Sequence, residues 1–193
     1  NLVKSVIPMH LTYLMVLQKP MITLKRRLWV MANKYLIDAN IFITAHRQFY
    51  PFDIAPSFWN QLVDKASGKI EIIEKVDKEI MKGKDILTDW YKSQKSNFNI
   101  LVIPDQEVIT AYSKIINFIT KNKQYKQSAK DEFASIADSW LCAYGLAYED
   151  TIVTLEKFDS DTKKRIKIPN VCEQFGIKYI DLFQFMRQVG IRL

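Results

Sequence analysis

The 193-residue chain has few of the side chains on which several classes of enzyme depend. It has only two histidines, His10 and His46, so a histidine-rich metal centre is excluded and a Ser-His-Asp triad would depend on one of them. Its two cysteines, Cys142 and Cys172, are far apart in sequence, which argues against a disulfide framework or a cysteine zinc site and favours a reducing cytoplasm. The five glycines form neither G-x-G-x-x-G nor G-x-x-x-x-G-K-[ST], so the sequence predicts no phosphate-binding glycine loop.

Acidic side chains are absent from residues 1–30, although the chain as a whole has 21. The cations of this segment are Lys4, Lys19, Lys25, Arg26 and Arg27. Removing these charges from the net +7 leaves about +2 for the remainder, so net charge is a weak argument for nucleic-acid binding.

The uncharged run at residues 5–18 contains Pro8 and His10 and is shorter than the roughly 20 residues that cross a bilayer. No A-x-A-like cleavage site follows it, so neither a membrane span nor a signal peptide is predicted. Met31 is typical of a natural start directly before the first strand. We therefore interpret residues 1–30 as an N-terminal extension, either foreign to the natural protein or a basic arm, with a basic membrane-surface helix as a third alternative.

Hydrophobic residues make up 48% of the chain, which is enough for one folded domain over residues 31–193. Apolar β-branched runs predict strands at 35–37, 68–73, 100–103, 151–154 and 178–180. Helical periodicity predicts helices at 41–49, 57–66, 74–81, 84–93, 105–120, 131–148, 168–174 and 181–189, with a basic connector at 121–130. This alternation predicts an α/β fold in which helices flank a central, mainly parallel sheet in three layers, α/β/α.

Four acids have positions that suit a shared site. Asp38 ends the first predicted strand, where it would otherwise be an ordinary helix cap. Glu79 is on a predicted helix, and alone it would be a surface glutamate. Asp138 falls in the most apolar predicted helix, where a buried aspartate needs a cation or hydrogen-bonding partners. Glu156 follows the fourth predicted strand, so it shares the carboxyl edge of the sheet with Asp38.

Such a set of carboxylates suits one kind of chemistry. Carboxylates packed together repel one another, and a divalent cation keeps them ionised. Mg²⁺ or Mn²⁺ prefers hard oxygen ligands, whereas zinc prefers the histidine and cysteine side chains that are scarce here. A cation held in this way can stabilise negative charge on a phosphodiester.

The ordered set of segments resembles the PIN-domain nucleases, and within them the prokaryotic toxin-type, VapC-like branch. The matching segments are Asp38-Ala39-Asn40, Glu79 on a mid-chain helix, residues 137–144, residues 154–158, and an Ile-Pro-x-x-Cys segment at 168–172 similar to one in a poorly characterised subfamily. The resemblance covers essentially all of residues 31–193. It implies a PIN-like three-layer fold and a metal-dependent ribonuclease activity.

The resemblance implies that Asp38, Glu79, Asp138 and Glu156 are both the catalytic residues and the metal ligands. The family pattern has aspartate at the fourth position, so Glu156 is a departure, and Asp159 or Asp161 is an alternative ligand.

Several further residues are expected around these acids. Asn40 is assigned to hydrogen-bonding Asp38 or a water on the metal, and Ser139 and Thr154 to orienting neighbouring carboxylates. Lys163, Lys164 and Arg165 are expected either to contact substrate phosphates or to form a solvated loop. No aromatic base-stacking module is recognisable in the sequence.

The expected function is that of a Mg²⁺- or Mn²⁺-dependent endoribonuclease in the cytoplasm, acting as the toxin of a toxin–antitoxin pair. The partners that the resemblance implies are an RNA substrate and a protein antitoxin; a homodimer is a further possibility, and no membrane association is expected. Two alternatives stay open: a PIN-like binding module with weak or no catalysis, and a DNA-directed nuclease.

Overall fold

The computed structural model describes residues 33–193, in which five parallel strands form one sheet in the order β3-β2-β1-β4-β5. The strands are β1 (Tyr35–Ile37), β2 (Ile70–Ile73), β3 (Asn99–Leu101), β4 (Thr151–Val153) and β5 (Tyr179–Ile180). The central strands are short, continuous apolar runs, as expected for strands that are covered on both faces. Every residue of β1 and β2 is buried, including Glu71, whose Oε1 accepts a hydrogen bond from Asn99 Nδ2 at 3.0 Å.

Nine α-helices flank this sheet in the described residues, and the predicted three-layer α/β arrangement is confirmed. They are α1 (Ala39–Thr44), α2 (Pro56–Ala66), α3 (Glu74–Met81), α4 (Ile86–Gln94), α5 (Gln106–Lys121), α6 (Gln127–Ser135), α7 (Ala137–Tyr148), α8 (Ile168–Phe175) and α9 (Leu182–Val189). A π-helical turn, Ala45–Phe49, extends α1. Asp105 and Asp181, which begin two of the predicted helices, cap α5 and α9 by accepting hydrogen bonds from their first turns.

Helix α7 crosses one face of the sheet and contacts β1, β2 and β4, with α5 and α8 packed beside it. Its close approach depends on Gly145, because a Cβ there would lie 2.8 Å from Ile177 Cγ2 and 3.1 Å from Ile152 Cδ1. On the other face, the ring of Tyr35 packs edge-on against Phe185 of α9, with centroids 4.9 Å apart. The later part of α7 therefore lies close against β4.

The order in which successive strands are added to the sheet changes side at β1. Strands β2 and β3 lie on one side of β1, whereas β4 and β5 lie on the other. In an open parallel sheet, the crevice outside the carboxyl ends of the strands at such a switch point is the usual ligand site. Here that crevice lies between the end of β1 and the end of β4, which pair in register at Ile37 and Val153.

Two predicted elements were wrong. The segment 121–130 is not a single connector, because α6 begins at Gln127. The predicted helix 131–148 is two helices, because Ile136 has an extended backbone, with φ −89° and ψ 179°, between α6 and α7. The hydroxyl of Ser135 donates to Glu132 O at 2.7 Å and closes the end of α6.

The interpretation of residues 1–30 falls outside the described residues. The described part forms one compact unit from Lys34 to Leu193. No helix in residues 33–193 combines the length and apolar character needed to span a membrane.

Candidate functional site

Asp38 lies at the switch point, immediately after β1, and its side chain is only 4% exposed. Its Oδ1 accepts a hydrogen bond from Asn40 N at 3.4 Å, so it caps α1. Its Oδ2 accepts a hydrogen bond from Thr154 Oγ1 at 3.0 Å, which joins the ends of β1 and β4. Burial, together with the charges of Glu156 and Glu79, raises its pKa to about 6, and the hydrogen bonds from Thr154 and Asn40 offset this rise only in part.

Asp138 lies in the first turn of α7, not in the interior of a long helix as the sequence predicted. The break at Ile136 places Asp138 where backbone N–H groups are unpaired and an acid is favoured. Burial, together with the nearby charges of Asp38 and Glu156, raises its pKa to about 7. Asp38 is thus buried and Asp138 half-buried, and the charge of Asp38 disfavours the ionisation of Asp138.

Glu79 belongs to the same electrostatic environment but lies further out. Its side chain is exposed on α3, whereas its neighbours Val76 and Ile80 are buried in the core. Its charge still contributes to the raised pKa values of both Asp38 and Asp138. The fold therefore places Glu79 at the rim of the crevice, within electrostatic reach of Asp38 and Asp138.

Glu156 lies on the β4 side of the crevice, and both of its carboxylate oxygens have partners from the chain. Arg165 Nη2 lies 2.8 Å from Oε1, and Ile168 N donates to Oε2 at 2.8 Å at the start of α8. The backbone N of Glu156 donates to Thr154 Oγ1 at 3.2 Å. In this arrangement Glu156 anchors the loop after β4, and a cation would have to displace Arg165 to reach Oε1.

The residues expected to support the acids are placed differently from one another. Thr154 contacts Asp38 directly, as described above. Asn40 contacts Asp38 through its backbone N–H, and its side chain is exposed. Ser139 is buried, and its hydroxyl donates to Ile136 O at 3.2 Å instead of to a carboxylate, so it secures the start of α7.

The three basic residues Lys163, Lys164 and Arg165 differ in their contacts. Lys163 and Lys164 have exposed side chains in the loop before α8. Arg165 pairs with Glu156, and its charge lowers the pKa of Asp138 against the effect of burial. The alternative ligand Asp159 pairs with Lys167 at 3.0 Å and so belongs to the same loop.

Sequence reasoning missed that the two cysteines, Cys142 and Cys172, contact each other. Cys142 is one turn beyond Asp138 on α7, and Cys172 is one turn beyond Ile168 on α8; both are fully buried. Burial and a hydrogen bond between the two thiols hold the pKa of Cys142 well above its usual value. The matching one-turn spacings from Asp138 and Ile168 were the only signal in the sequence that could have indicated this contact.

The donor set fits a hard divalent cation in one respect. Buried Asp38 and half-buried Asp138 provide two carboxylates whose repulsion a cation would relieve, and one or two carboxylates are what Mg²⁺ usually takes from a protein. Among residues 33–193, no three His, Cys, Asp or Glu side chains are already gathered at ligand distances. The chain therefore offers a pair of acids at the switch point, with Glu79 and Glu156 near them.

Comparison with known proteins gives a family but no activity. A family described as "Domain of unknown function (DUF4411)" matches residues 35–193, which includes every acid discussed above. No curated protein matches the chain.

Proposed function

The chain belongs to the DUF4411 family, and we propose that it is a metal-dependent endoribonuclease of the toxin type. The observation that carries the proposal is the pair of buried Asp38 and half-buried Asp138 at the switch point, whose pKa values are raised to about 6 and about 7. Acids kept in this condition are characteristic of functional sites. The resemblance of the ordered acidic segments to PIN-domain nucleases supports the same reaction.

Asp38 and Asp138 would hold Mg²⁺ or Mn²⁺, with Glu79 able to approach from the rim. Bound there, the cation would activate water and neutralise charge on the scissile phosphodiester. Thr154 holds Asp38 in place through its hydroxyl, at 3.0 Å. The exposed ammonium groups of Lys163 and Lys164 are suited to contacting substrate phosphates.

Glu156 has a positioning role in this proposal and not a ligand role. Its oxygens are held by Arg165 and Ile168 N at 2.8 Å each, so its removal would release the loop after β4. Glu156→Gln should therefore weaken activity less than Asp38→Asn, because glutamine can still accept the hydrogen bond from Ile168 N.

The test is cleavage of single-stranded and structured RNAs by the purified chain, with Mg²⁺ or with a chelator. We expect cleavage only with the metal, reduced at least 100-fold by Asp38→Asn or Asp138→Asn, since loss of a catalytic electrostatic contact commonly costs about 10²–10³ in rate. Asp131→Asn is the matched control, because Asp131 is an exposed acid on α6. Cleavage that persists in the chelator, or in Asp38→Asn, would overturn the proposal.

A second candidate, a binding module without catalysis, is favoured by one observation. Both carboxylate oxygens of Glu156 are bonded to groups of the chain. Thermal melts separate the candidates, because a catalytic centre predicts a rise in melting temperature with Mg²⁺ or Mn²⁺ that Asp138→Asn removes. Competition between single-stranded RNA and DNA tests the alternative of a DNA-directed nuclease. The main proposal includes a protein antitoxin that covers the acidic crevice.

A further inference from the structure

The loop after β4 is held on both sides of Phe158. On one side, Glu156 accepts a hydrogen bond from Ile168 N and pairs with Arg165. On the other, Asp159 and Asn170 bond each other twice, Asp159 N to Asn170 Oδ1 at 3.3 Å and Asn170 Nδ2 to Asp159 O at 2.7 Å. Residues 156–159 are thus tied to the segment 165–170 by side chains that leave little freedom between them.

This constrained loop nevertheless presents a large apolar side chain to solvent. Phe158 is 53% exposed and lies outside the buried core formed by the described residues. Full burial of a phenylalanine is worth about 1.5–3 kcal/mol, so the loop forgoes part of that stabilisation.

The surroundings of the ring are charged. Lys157 precedes it with an exposed side chain, and Lys163 and Lys164 are exposed in the same loop. Glu156, two residues before the ring, contributes to the charge that Asp38 and Asp138 experience. The ring therefore belongs to a loop that carries three exposed ammonium groups and whose Glu156 is within electrostatic reach of Asp38 and Asp138.

A protein partner and a nucleobase make different demands on such a surface. Contiguous exposed apolar patches of several hundred Å² mark protein interfaces, whereas the residues that flank Phe158 in the sequence, Lys157 and Asp159, are charged. A nucleobase needs only one ring face, with cations nearby for the flanking phosphates, which is the combination that single-strand binding surfaces use. The chemistry of the loop thus matches a single-stranded nucleic acid better than a protein.

We infer that Phe158 stacks on a base of a single-stranded substrate, next to the phosphate that enters the acidic crevice. The inference rests on the proposed nuclease function and adds to it the residue that holds a base. In this arrangement Lys163 and Lys164 contact phosphates of the nucleic acid, and that part of the affinity depends on salt. Stacking on Phe158 adds affinity that does not depend on salt.

The test measures binding of a short single-stranded RNA to the full chain in a chelator, by fluorescence anisotropy, so that no cleavage occurs. Phe158→Ala should weaken binding by about 5- to 100-fold, the range typical of loss of one stacked base. Phe158→Leu should be as weak as the alanine variant because it keeps apolar bulk without a ring face, and Phe158→Trp should bind like the parent.

The second measurement uses a series of RNAs that each lack one base, so that the effect of removing a base can be compared with the effect of removing the Phe158 ring. At the position that stacks, the parent and Phe158→Ala should bind equally, because the base is already missing. The salt dependence of binding should be unchanged by Phe158→Ala and reduced by Lys163→Ala with Lys164→Ala. Melting temperatures of all variants should match the parent, since the ring is exposed.

The outcomes separate the two proposals. If the parent binds and cleaves RNA but Phe158→Ala or Phe158→Leu binds equally well, the stacking role is overturned and the nuclease stands. If the parent neither binds nor cleaves any RNA or DNA, the nuclease proposal fails and the stacking role fails with it.

Discussion

The fold shields aspartates from solvent in two places, and the two places differ in whether a cation of the same chain lies beside them. Asp77 on α3 is buried, and its Oδ1 accepts a hydrogen bond from the Tyr91 hydroxyl at 2.9 Å and pairs with Lys95 Nζ at 2.6 Å. Burial, together with the bond to Asp77, holds the pKa of Tyr91 far above its usual value, so its hydroxyl stays a donor. Buried Asp38 and half-buried Asp138 at the switch point have no such cation at hydrogen-bonding distance in residues 33–193, and the charge of Asp38 raises the pKa of Asp138.

The difference shows where the chain itself supplies the counter-charge. At Asp77 a lysine and a tyrosine of the same chain compensate the carboxylate, as a structural acid requires. At the switch point, hydrogen bonds to Asp38 only partly compensate burial, and the nearest cation, Arg165, is bound to Glu156 instead. A cation from outside the chain would remove that imbalance.

The largest expected effect is on the pH dependence of the metal-free protein. Asp38 and Asp138 bind protons more tightly when folded, with pKa values of about 6 and about 7 against 3.8. Their contribution is therefore fully present below pH 3.8 and lost as the pH rises through 6 and 7. In a chelator, these two shifts should together lower the free energy of unfolding between pH 4 and pH 8 by several kcal/mol, and by about 7 kcal/mol at most, as measured by denaturant melts.

A double variant, Asp38→Asn with Asp138→Asn, should show a much flatter profile over the same range. Excess Mg²⁺ should restore stability to the parent at pH 8 and leave the double variant unchanged. A metal-free parent whose stability rises from pH 4 to pH 8 would contradict the assignment of these acids as uncompensated.

Asp77→Ala should lower the free energy of unfolding by about 2–3 kcal/mol. Breaking a buried pair typically costs about 3–5 kcal/mol, and the cost is smaller here because the Lys95 side chain is 37% exposed and can return to water. The control is Asp89→Ala, since Asp89 pairs with Lys92 at 3.7 Å and is 81% exposed. That surface change should stay within about 0.5 kcal/mol, and an equal loss from both variants would remove the distinction.

Asp138→Asn should raise the stability of the metal-free protein at pH 8 by about 1–2 kcal/mol. The uncharged asparagine removes the cost of desolvating a carboxylate and the repulsion from Asp38. These gains outweigh the lost interaction with the α7 N-terminus, which is worth about 0.3–1 kcal/mol. The same variant should lose the stabilisation by Mg²⁺. A variant less stable without metal, yet still stabilised by Mg²⁺ like the parent, would show that Asp138 is a structural acid.

Thr154→Val should have the smallest effect, a loss of about 1 kcal/mol at pH 8, because the hydrogen bond from the hydroxyl to Asp38 is removed without a change in shape. The loss should be smaller at pH 5, where Asp38 is largely protonated and its charge no longer needs the donor. Thr154→Ser keeps the hydroxyl and serves as the control. Equal losses at both pH values would indicate that the threonine does not support an ionised Asp38.

The local elements of the described chain were predictable because their causes are local. Short β-branched runs gave the five strands, and helix-capping aspartates such as Asp105 and Asp181 lie next to the turns they stabilise. Placement of Asp38 at the end of β1 and of Glu156 beyond β4 followed from the same reasoning. These patterns depend on neighbours within a few residues, so one sequence contains them in full.

The break at Ile136 was not predictable, because apolar spacing continues across it and only packing separates α6 from α7. That break decides whether Asp138 lies inside a helix or at its N-terminus. The occupation of Glu156 by Arg165 and Ile168 N depends on how the loop after β4 folds back onto α8, and so does the contact of Cys142 with Cys172.

The amino-acid sequence alone therefore determined the α/β alternation, the strand-end position of Asp38 and the set of acids. Which of these acids interact electrostatically depends on the tertiary structure. Charges interact over distances set by the packing of the sheet and helices, and burial depends on atoms remote in sequence. For that reason Asp38 and Asp138 became an uncompensated pair, Glu79 remained at the rim and Glu156 became the anchor of a loop.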